Sequence, residues 1–448
     1  MKKDVIVIGA GAAGLMAAAA ASENGHRVTV LEKNEKAGKK IYITGKGRCN
    51  LTNDCATEDF FANVPRNYKF LYSAVYGFDH DMVKDFFEKN GCPVKVERGN
   101  RVFPVSDHAS DVTAALLRCL QRNGVNIRYH TAVRQILTSV DPEDPEQGRH
   151  VCGVELVNGK KLSADAVILC TGGLSYPSTG STGDGLKMAR SLGLQVTQTA
   201  PSLVPFETKE TWCRDLQGLA LKNVSVRIFP GDMPEVPGGE DSGEDINNIK
   251  GEKRKKGGKK AGKKPVYEGF GELLFTHFGL SGPIILTASC YCDFTQNPQG
   301  FRLVMDLKPA ITQEQLVDRL CREFALAPNR HFPASIRPLF PARLAEAVTD
   351  LSGIGTSRSA ASLTEKEITA LAALIKNIPV TVTGTRGFTE AIITRGGIHV
   401  KEFNPSTMES RLIKGLFAAG EVLDVDAHTG GFNLQIAWST GHLAGSSI

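Results

Sequence analysis

The chain opens on a continuous apolar run, residues 4–9 (DVIVIG), the pattern of a strand buried on both faces of a parallel sheet. An alanine-rich stretch from about Ala12 to Asn24 follows, and Gly25 marks its stop, so it reads as a helix. Residues 27–32 (RVTVLE) return to strand character, which completes a βαβ unit. Helical spacing recurs over 80–90 and 110–123, and residues 125–157 alternate like the strands of a small antiparallel unit. Residues 165–170 (DAVILC) then read as another buried strand. From about 197 to 308 the pattern is one of short β-rich pieces broken by Pro and Gly, among them 223–229, 272–276 and 301–307. Leu316, Val317, Leu320, Cys321 and Phe324 stand at helical spacing within 312–324, and 341–350 and 364–376 also read as helices. Strand character resumes at 390–395 and 415–419, and a last helix begins at about Leu434. The final sixty residues thus take up the style of the first thirty, which predicts one sheet completed by both termini with the middle of the chain inserted.

A length of 448 residues asks for two or three domains. With 41% hydrophobic and 23% charged residues the chain can bury cores and stay in solution, and no apolar run approaches the roughly 20 residues that span a bilayer. The start, Met1-Lys2-Lys3-Asp4, leads into too short an apolar stretch for a secretory signal, so a cytoplasmic location is expected. Ten cysteines give no CxxC pair and no zinc-like spacing with His, which predicts no metal site and no disulfide framework. Cys290 and Cys292 read as strand residues.

The net charge of +5 is unevenly spread. Residues 250–264 hold nine Lys or Arg against one Glu, and without them the chain is mildly acidic. An acidic stretch with Asp232, Glu235, Glu240, Asp241, Glu244 and Asp245 precedes them. Too polar to bury a core, 232–264 reads as a mobile charged insertion between two strands. A basic patch for nucleic acid or an acidic surface and a lid over an anionic ligand are sharper readings of it, and against nucleic acid stands its lack of interleaved aromatics.

Gly9-Ala10-Gly11-Ala12-Ala13-Gly14 is a GxGxxG between an expected strand and an expected helix, the context that gives the motif its meaning. Gly9 permits a tight turn, Gly11 lets the backbone approach a pyrophosphate, and Gly14 lets helix pack on strand. Glu32, at the end of the second strand, is placed to accept hydrogen bonds from ribose hydroxyls. These residues define a dinucleotide site without choosing between NAD and FAD.

Further segments resemble the FAD pattern of two-dinucleotide-fold flavoproteins. They are Cys170-Thr171-Gly172-Gly173 after a buried strand, GLFAAGE at 415–421, and a helix start after Gly430-Gly431-Phe432-Asn433. A second complete GxGxxG is absent, so NADH or NADPH is expected to arrive from solution as the electron donor. More narrowly, the chain resembles the YhiN-like bacterial flavoproteins, which include BaiN-like proteins and aminoacetone oxidase. The matching segments are 38–53 (GKKIYITGKGRCNLTN), 172–185, 275–283, 394–397 (TRGG) and 415–441. Lys46 departs from the third glycine usual in the GGGRCN of that family.

The resemblance implies an α/β fold in three parts. A Rossmann-type FAD-binding domain comprises 1–196 plus 385–448, a β-rich, barrel-like domain is inserted at 197–310, and a small helical subdomain occupies 311–384. It places Gly9, Gly11, Ala12, Ala13, Gly14, Glu32, Lys33, Lys40, Gly45, Gly47, Arg48, Cys49, Asn50 and Val133 around FAD. Thr171, Gly172, Gly173, Gly420, Glu421, Gly431, Phe432, Asn433 and Leu434 join them. Arg48 has a second reading as an ion-pair residue, and Asn433 one as a helix N-cap.

The expected function is that of an FAD-dependent oxidoreductase. Reduction of an α,β-unsaturated ketone of steroid or bile-acid type is the first reading, and it needs a donor at the carbonyl and an acid for the α-carbon. His428, Tyr176 and His277 are the candidates, with Tyr42 behind them. A flavin amine or aminoketone oxidase producing hydrogen peroxide is the second reading, and a flavin-bearing RNA-modification or nucleic-acid-binding protein the third. A small-molecule substrate is the expected partner, with neither a membrane nor nucleic acid.

Overall fold

The computed structural model describes residues 1–140, 148–231 and 264–448. All of the expected insertion 232–264 but its last residue lies outside the described residues. The chain divides into two compact units, Met1–Val204 with Arg386–Ile448, and Pro205–Thr385.

A five-stranded parallel sheet organises the first unit, in the order Leu416–Ala418, Ala166–Leu169, Asp4–Ile8, Arg27–Leu31, Asn126–Arg128. Val7 sits between Val30 and Ile168, and Ile168 pairs onward with Phe417, so a strand from the end of the chain completes the sheet begun by its start. Residues 126–128 correct the sequence reading. They form the parallel edge strand, and only Val133–Val140, Arg149–Leu156 and Lys161–Ser163 make the antiparallel unit. With Ile127 its one apolar residue, the edge strand is too short to show a period.

The two termini also meet helix to helix. Ala12–Glu23 packs on Phe432–Ser446, and the backbones come close enough that a Cβ at Gly441 would lie 2.4 Å from the Ala13 carbonyl oxygen. One turn on, a Cβ at Gly445 would lie 2.3 Å from the Ala17 oxygen. Glycines four apart on one helix against alanines four apart on the other make this contact possible. Trp438, fully buried, anchors the same helix by donating its Nε1–H to the Leu51 carbonyl at 3.0 Å. Burying a side chain of that size contributes about 3 kcal/mol.

In the second unit six antiparallel strands close a barrel, in the order Phe206–Thr208, Gly279–Ser281, Tyr267–Thr276, Ala220–Pro230, Phe301–Asp306, Ile378–Thr385. Pairing of Phe206 with Thr385 shuts the ring. Val224, Val226, Ile228, Val380 and Val382 alternate inward, as strands with one buried face should. Helices Gln313–Leu326, Ala342–Ser352 and Glu365–Lys376 stand in sequence before the closing strand. Where the sequence reading drew a boundary at residue 310, Leu316, Leu320, Val348 and Leu371 share one hydrophobic core with the barrel strands. Thr312 with Gln315 and Thr364 with Glu367 form capping boxes at two of these helix starts. Cys290 and Cys292 are not strand residues but follow the short helix Pro283–Ser289, and both are buried. No helix among the described residues is long and apolar enough to cross a membrane.

Candidate active site

The site begins where the first strand ends. Gly9 turns with φ +102°, and its N–H donates to the Leu31 carbonyl at 2.8 Å. The next N–H, of Ala10, donates to Glu32 Oε2 at 2.8 Å, while Glu32 Oε1 accepts from the backbone N and side-chain Nδ2 of Asn34 at 2.8 and 2.7 Å. Glu32 is only 7% exposed, and these three bonds fix its carboxylate at the strand end. A Cβ at Gly14 would stand 1.9 Å from the Gly9 carbonyl oxygen, so the helix rests directly on the turn. At Gly11 a Cβ would meet nothing within 4 Å, which is what a backbone that must admit a pyrophosphate requires.

This turn floors a cleft that lies wholly in the first unit. Of the residues expected at a cofactor, Gly9, Gly11, Ala12, Ala13, Glu32, Lys33, Lys40, Val133, Thr171, Gly172, Glu421, Asn433 and Leu434 line it. They come from both ends of the chain. Lys40 Nζ pairs with Glu421 Oε2 at 2.6 Å and donates to Ser175 Oγ at 2.5 Å. Glu421 Oε1 accepts from the Thr394 N–H at 2.8 Å and from the Ser175 hydroxyl. Lys33 pairs with Asp184 at 2.6 Å, and although burial pushes the Asp184 carboxyl up, this partner leaves it below the usual carboxylate range. The first turn of the C-terminal helix, capped by Gly431, supplies Asn433 and Leu434, so a positive helix end faces the cleft.

The remaining expected residues are not among those that line the cleft. Gly173 and Gly420 allow close packing, against Thr394 and Ala13 respectively, and Phe432 packs edge-on against Phe60. A Cβ at Gly431 would collide with the Thr52 backbone. Gly45, Lys46 and Gly47 all hold positive φ, and Lys46, exposed at φ +59°, takes up the left-handed backbone that favours glycine. That backbone costs a residue with a side chain about 1 kcal/mol. Cys49 is fully buried and its thiol is pushed up to about 12 by burial. Arg48 is spent on Glu97 and Asp107, both at 2.5 Å, and lies over the Phe103 ring at 4.1 Å. Among the described residues the buried Asn50 Oδ1 has no hydrogen-bond partner, and Asn50 lies beside this glycine loop.

Asn433 is not the helix cap, since Gly431 holds that position. Its side chain ties the preceding loop instead, donating to the Ala427 carbonyl at 2.8 Å and accepting the Ala427 N–H at 2.9 Å. Tyr176 belongs to the first unit and sits at φ +49° just before Pro177, its N–H on the Phe388 carbonyl at 3.0 Å. A bulky residue held there stores strain of the kind that gathers at functional sites. Burial pushes the His428 imidazole below the usual histidine range. His277 is exposed in the second unit, in the turn between two barrel strands, its ring 4.9 Å from that of Phe278. Tyr42 lies under the Lys36 ammonium at 4.7 Å.

Several cleft residues escaped the sequence reading, among them Asn34, Lys36, Lys39, Ser181, Asp184 and Ile393. Ser181 and Asp184 lie inside the quoted segment 172–185, and Thr394, which contacts Glu421, inside TRGG, so the signal was present as motif without a role.

A parallel sheet ending in a glycine turn, a fixed carboxylate on the second strand and a cleft finished by the C-terminal helix define an FAD-dependent oxidoreductase of the Rossmann class. The chain belongs to the HI0933-like family, whose Rossmann-domain description matches residues 3–447. It is 29% identical to the 3-dehydro-bile acid delta(4,6)-reductase of Clostridium scindens, over 98% of this chain and 97% of that one. It is 30% identical to the ribosomal RNA dihydrouridine synthase of Escherichia coli, over 98% and 96%. Among solved structures, the 3-ketosteroid delta1-dehydrogenase of Sterolibacterium denitrificans shares the fold with a TM-score of 0.52 at 14% identity, over 99% of this chain and 98% of that one.

Proposed function

We propose that this protein reduces a carbon–carbon double bond conjugated to a carbonyl, with FAD in the cleft of the first unit and NADH or NADPH as the soluble electron source. Bound FAD supplies hydride exchange at its N5 atom. Glu32 would hold the adenosine ribose, the turn at Gly9–Gly11 the pyrophosphate, and the Lys40–Glu421 pair the region between pyrophosphate and flavin. The first turn of the C-terminal helix would stabilise negative charge gathering on the flavin. Tyr176 is the proposed proton donor of the first unit, and His428 and His277 are further candidates for the substrate's polar groups.

The observation that carries this reading is the likeness, over nearly the whole chain, to two proteins whose named reactions share one chemistry. A delta(4,6) 3-dehydro bile acid and a uracil ring each contain a C=C conjugated to a carbonyl, and each named activity saturates such a bond. Uridine in ribosomal RNA is the better supported substrate, because the nine cations of 250–264 suit a polyanion. A steroid-shaped enone is the second reading, favoured by the Clostridium relative.

Reduced, FAD-loaded protein is incubated with unmodified ribosomal RNA or with a steroid enone, and products are read by mass spectrometry of the nucleosides and by loss of enone absorbance. Dihydrouridine is expected, with binding that weakens steeply with salt and on deletion of 250–264. Turnover of the enone alone moves the substrate to the second reading, and turnover of neither sinks the proposal.

A further inference from the structure

A groove separate from the cleft opens in the first unit. Asp4, Arg27, Thr29 and Arg128 line it from the parallel sheet, and Lys161 and Ser163 line it from the strand Lys161–Ser163. None of them lines the cleft. Successive side chains of a strand point to opposite faces, so Arg27, Thr29 and Leu31 share one face of the sheet. Asp4 stands beside Arg27, and Arg128 beside Leu31, in the parallel register, which brings the groove residues of the sheet onto that same face.

Three cations and one carboxylate line this groove. The carboxylate, Asp4, is taken by Arg27, which donates to both of its oxygens, and the Asp4 N–H goes to Asp165 Oδ2 at 2.7 Å. Two cations are left over. Among the described residues the Arg128 guanidinium and the Lys161 ammonium enter no ion pair, and the hydroxyls of Thr29 and Ser163 make no hydrogen bond. Glu155, the acid in register with Lys161, is held by Arg134 at 3.4 Å and by Gln135 at 2.8 Å. Arg128 is half-buried, so its charge is screened less than on an open surface.

We propose that this groove binds a phosphate group, with the Arg128 guanidinium as its principal partner and Lys161, Thr29 and Ser163 as further donors. A guanidinium fork matches two oxygens of a phosphate, and an ammonium adds a point charge of free direction. A planar carboxylate would be satisfied by Arg128 alone. Donors from a second strand, Lys161 and Ser163, suit the oxygens of a tetrahedral anion that lie outside that plane. The phosphate has two sources, free inorganic phosphate and the RNA backbone, and the second rests on the ribosomal RNA reading above. Arg128 also accepts the Glu32 N–H at 2.9 Å, but through its backbone carbonyl, which a side-chain substitution keeps.

The test uses the full chain loaded with FAD, so that inorganic phosphate cannot take the pyrophosphate position in the cleft. Calorimetry with inorganic phosphate is expected to show a saturable site that Arg128→Gln weakens roughly tenfold or more, the loss that follows removal of hydrogen bonds to a charged group. Acetate should bind far more weakly. Flavin absorbance, unchanged in the variant, reports the fold, and Lys161→Gln, at an exposed side chain, repeats each reading at smaller size. A fluorescent ribosomal RNA fragment, followed by anisotropy across a salt series, separates the two sources. If the partner is the RNA backbone, Arg128→Gln lowers the affinity and reduces the slope of log K against log salt by about one, with or without saturable free phosphate. If it is free phosphate, RNA binding and slope stay as in the wild type while the calorimetric loss remains. Substitutions that change neither phosphate nor RNA binding overturn the proposal, and acetate binding as tight as phosphate overturns its tetrahedral ligand. Failure of the double-bond reduction shows in product formation and leaves these outcomes as they are.

Discussion

Gly11 and Gly14 belong to one motif and answer to different constraints. A side chain at Gly14 meets the Gly9 carbonyl oxygen, whereas one at Gly11 enters the open cleft. Gly11→Val should therefore give a folded protein with near wild-type melting that takes up no FAD, and Gly14→Val a protein that fails to fold. Thermal melting with and without added FAD separates the two. His442 gives a pH prediction at the same scale. Its ring stacks on Phe78 at 4.2 Å, and burial holds its pKa below the usual histidine range. The unfolded chain binds that proton more readily, so the stability His442 contributes is present above the ordinary histidine pKa and lost as the pH falls through it toward the folded value. His442→Phe keeps the stack and should reduce the fall in urea midpoint between pH 7.5 and 5.5. An unchanged slope would count against it.

The elements differ in how plainly the sequence announced them. Asp4–Ile8 and Arg27–Leu31 are buried on both faces or nearly so, and a short apolar run with hardly a polar break is the direct mark of such a strand. The closing barrel strand Ile378–Thr385 was missed although Ile378, Val380 and Val382 alternate inward, because it follows directly on a helix and carries Pro379. The helix contact between Gly441, Gly445 and the first alanine helix is tertiary and left no trace in local pattern. Gly445→Val must push the two helices apart, and overpacking of this kind costs about 3 kcal/mol. Urea unfolding should show that loss; an unchanged midpoint would mean the termini are not joined this way.

At the scale of the whole molecule, the first unit is assembled from both termini around one cleft. Motif residues from both ends were legible there because a dinucleotide demands particular residue types at particular turns. Arg48 shows the limit of such reading, since its acids Glu97 and Asp107 lie 49 and 59 residues away and only the fold brings them to it. The contact of the Asn63 side chain with His428 spans 365 residues and was equally silent. The measurement that bears most directly on the central claim is the absorption spectrum of the purified protein, followed by titration with FAD. One FAD per chain is expected, bound with the resolved yellow spectrum of an enclosed flavin, lost in Gly11→Val and bleached anaerobically by NADH or NADPH. A folded, colourless protein that takes up no FAD would contradict the account.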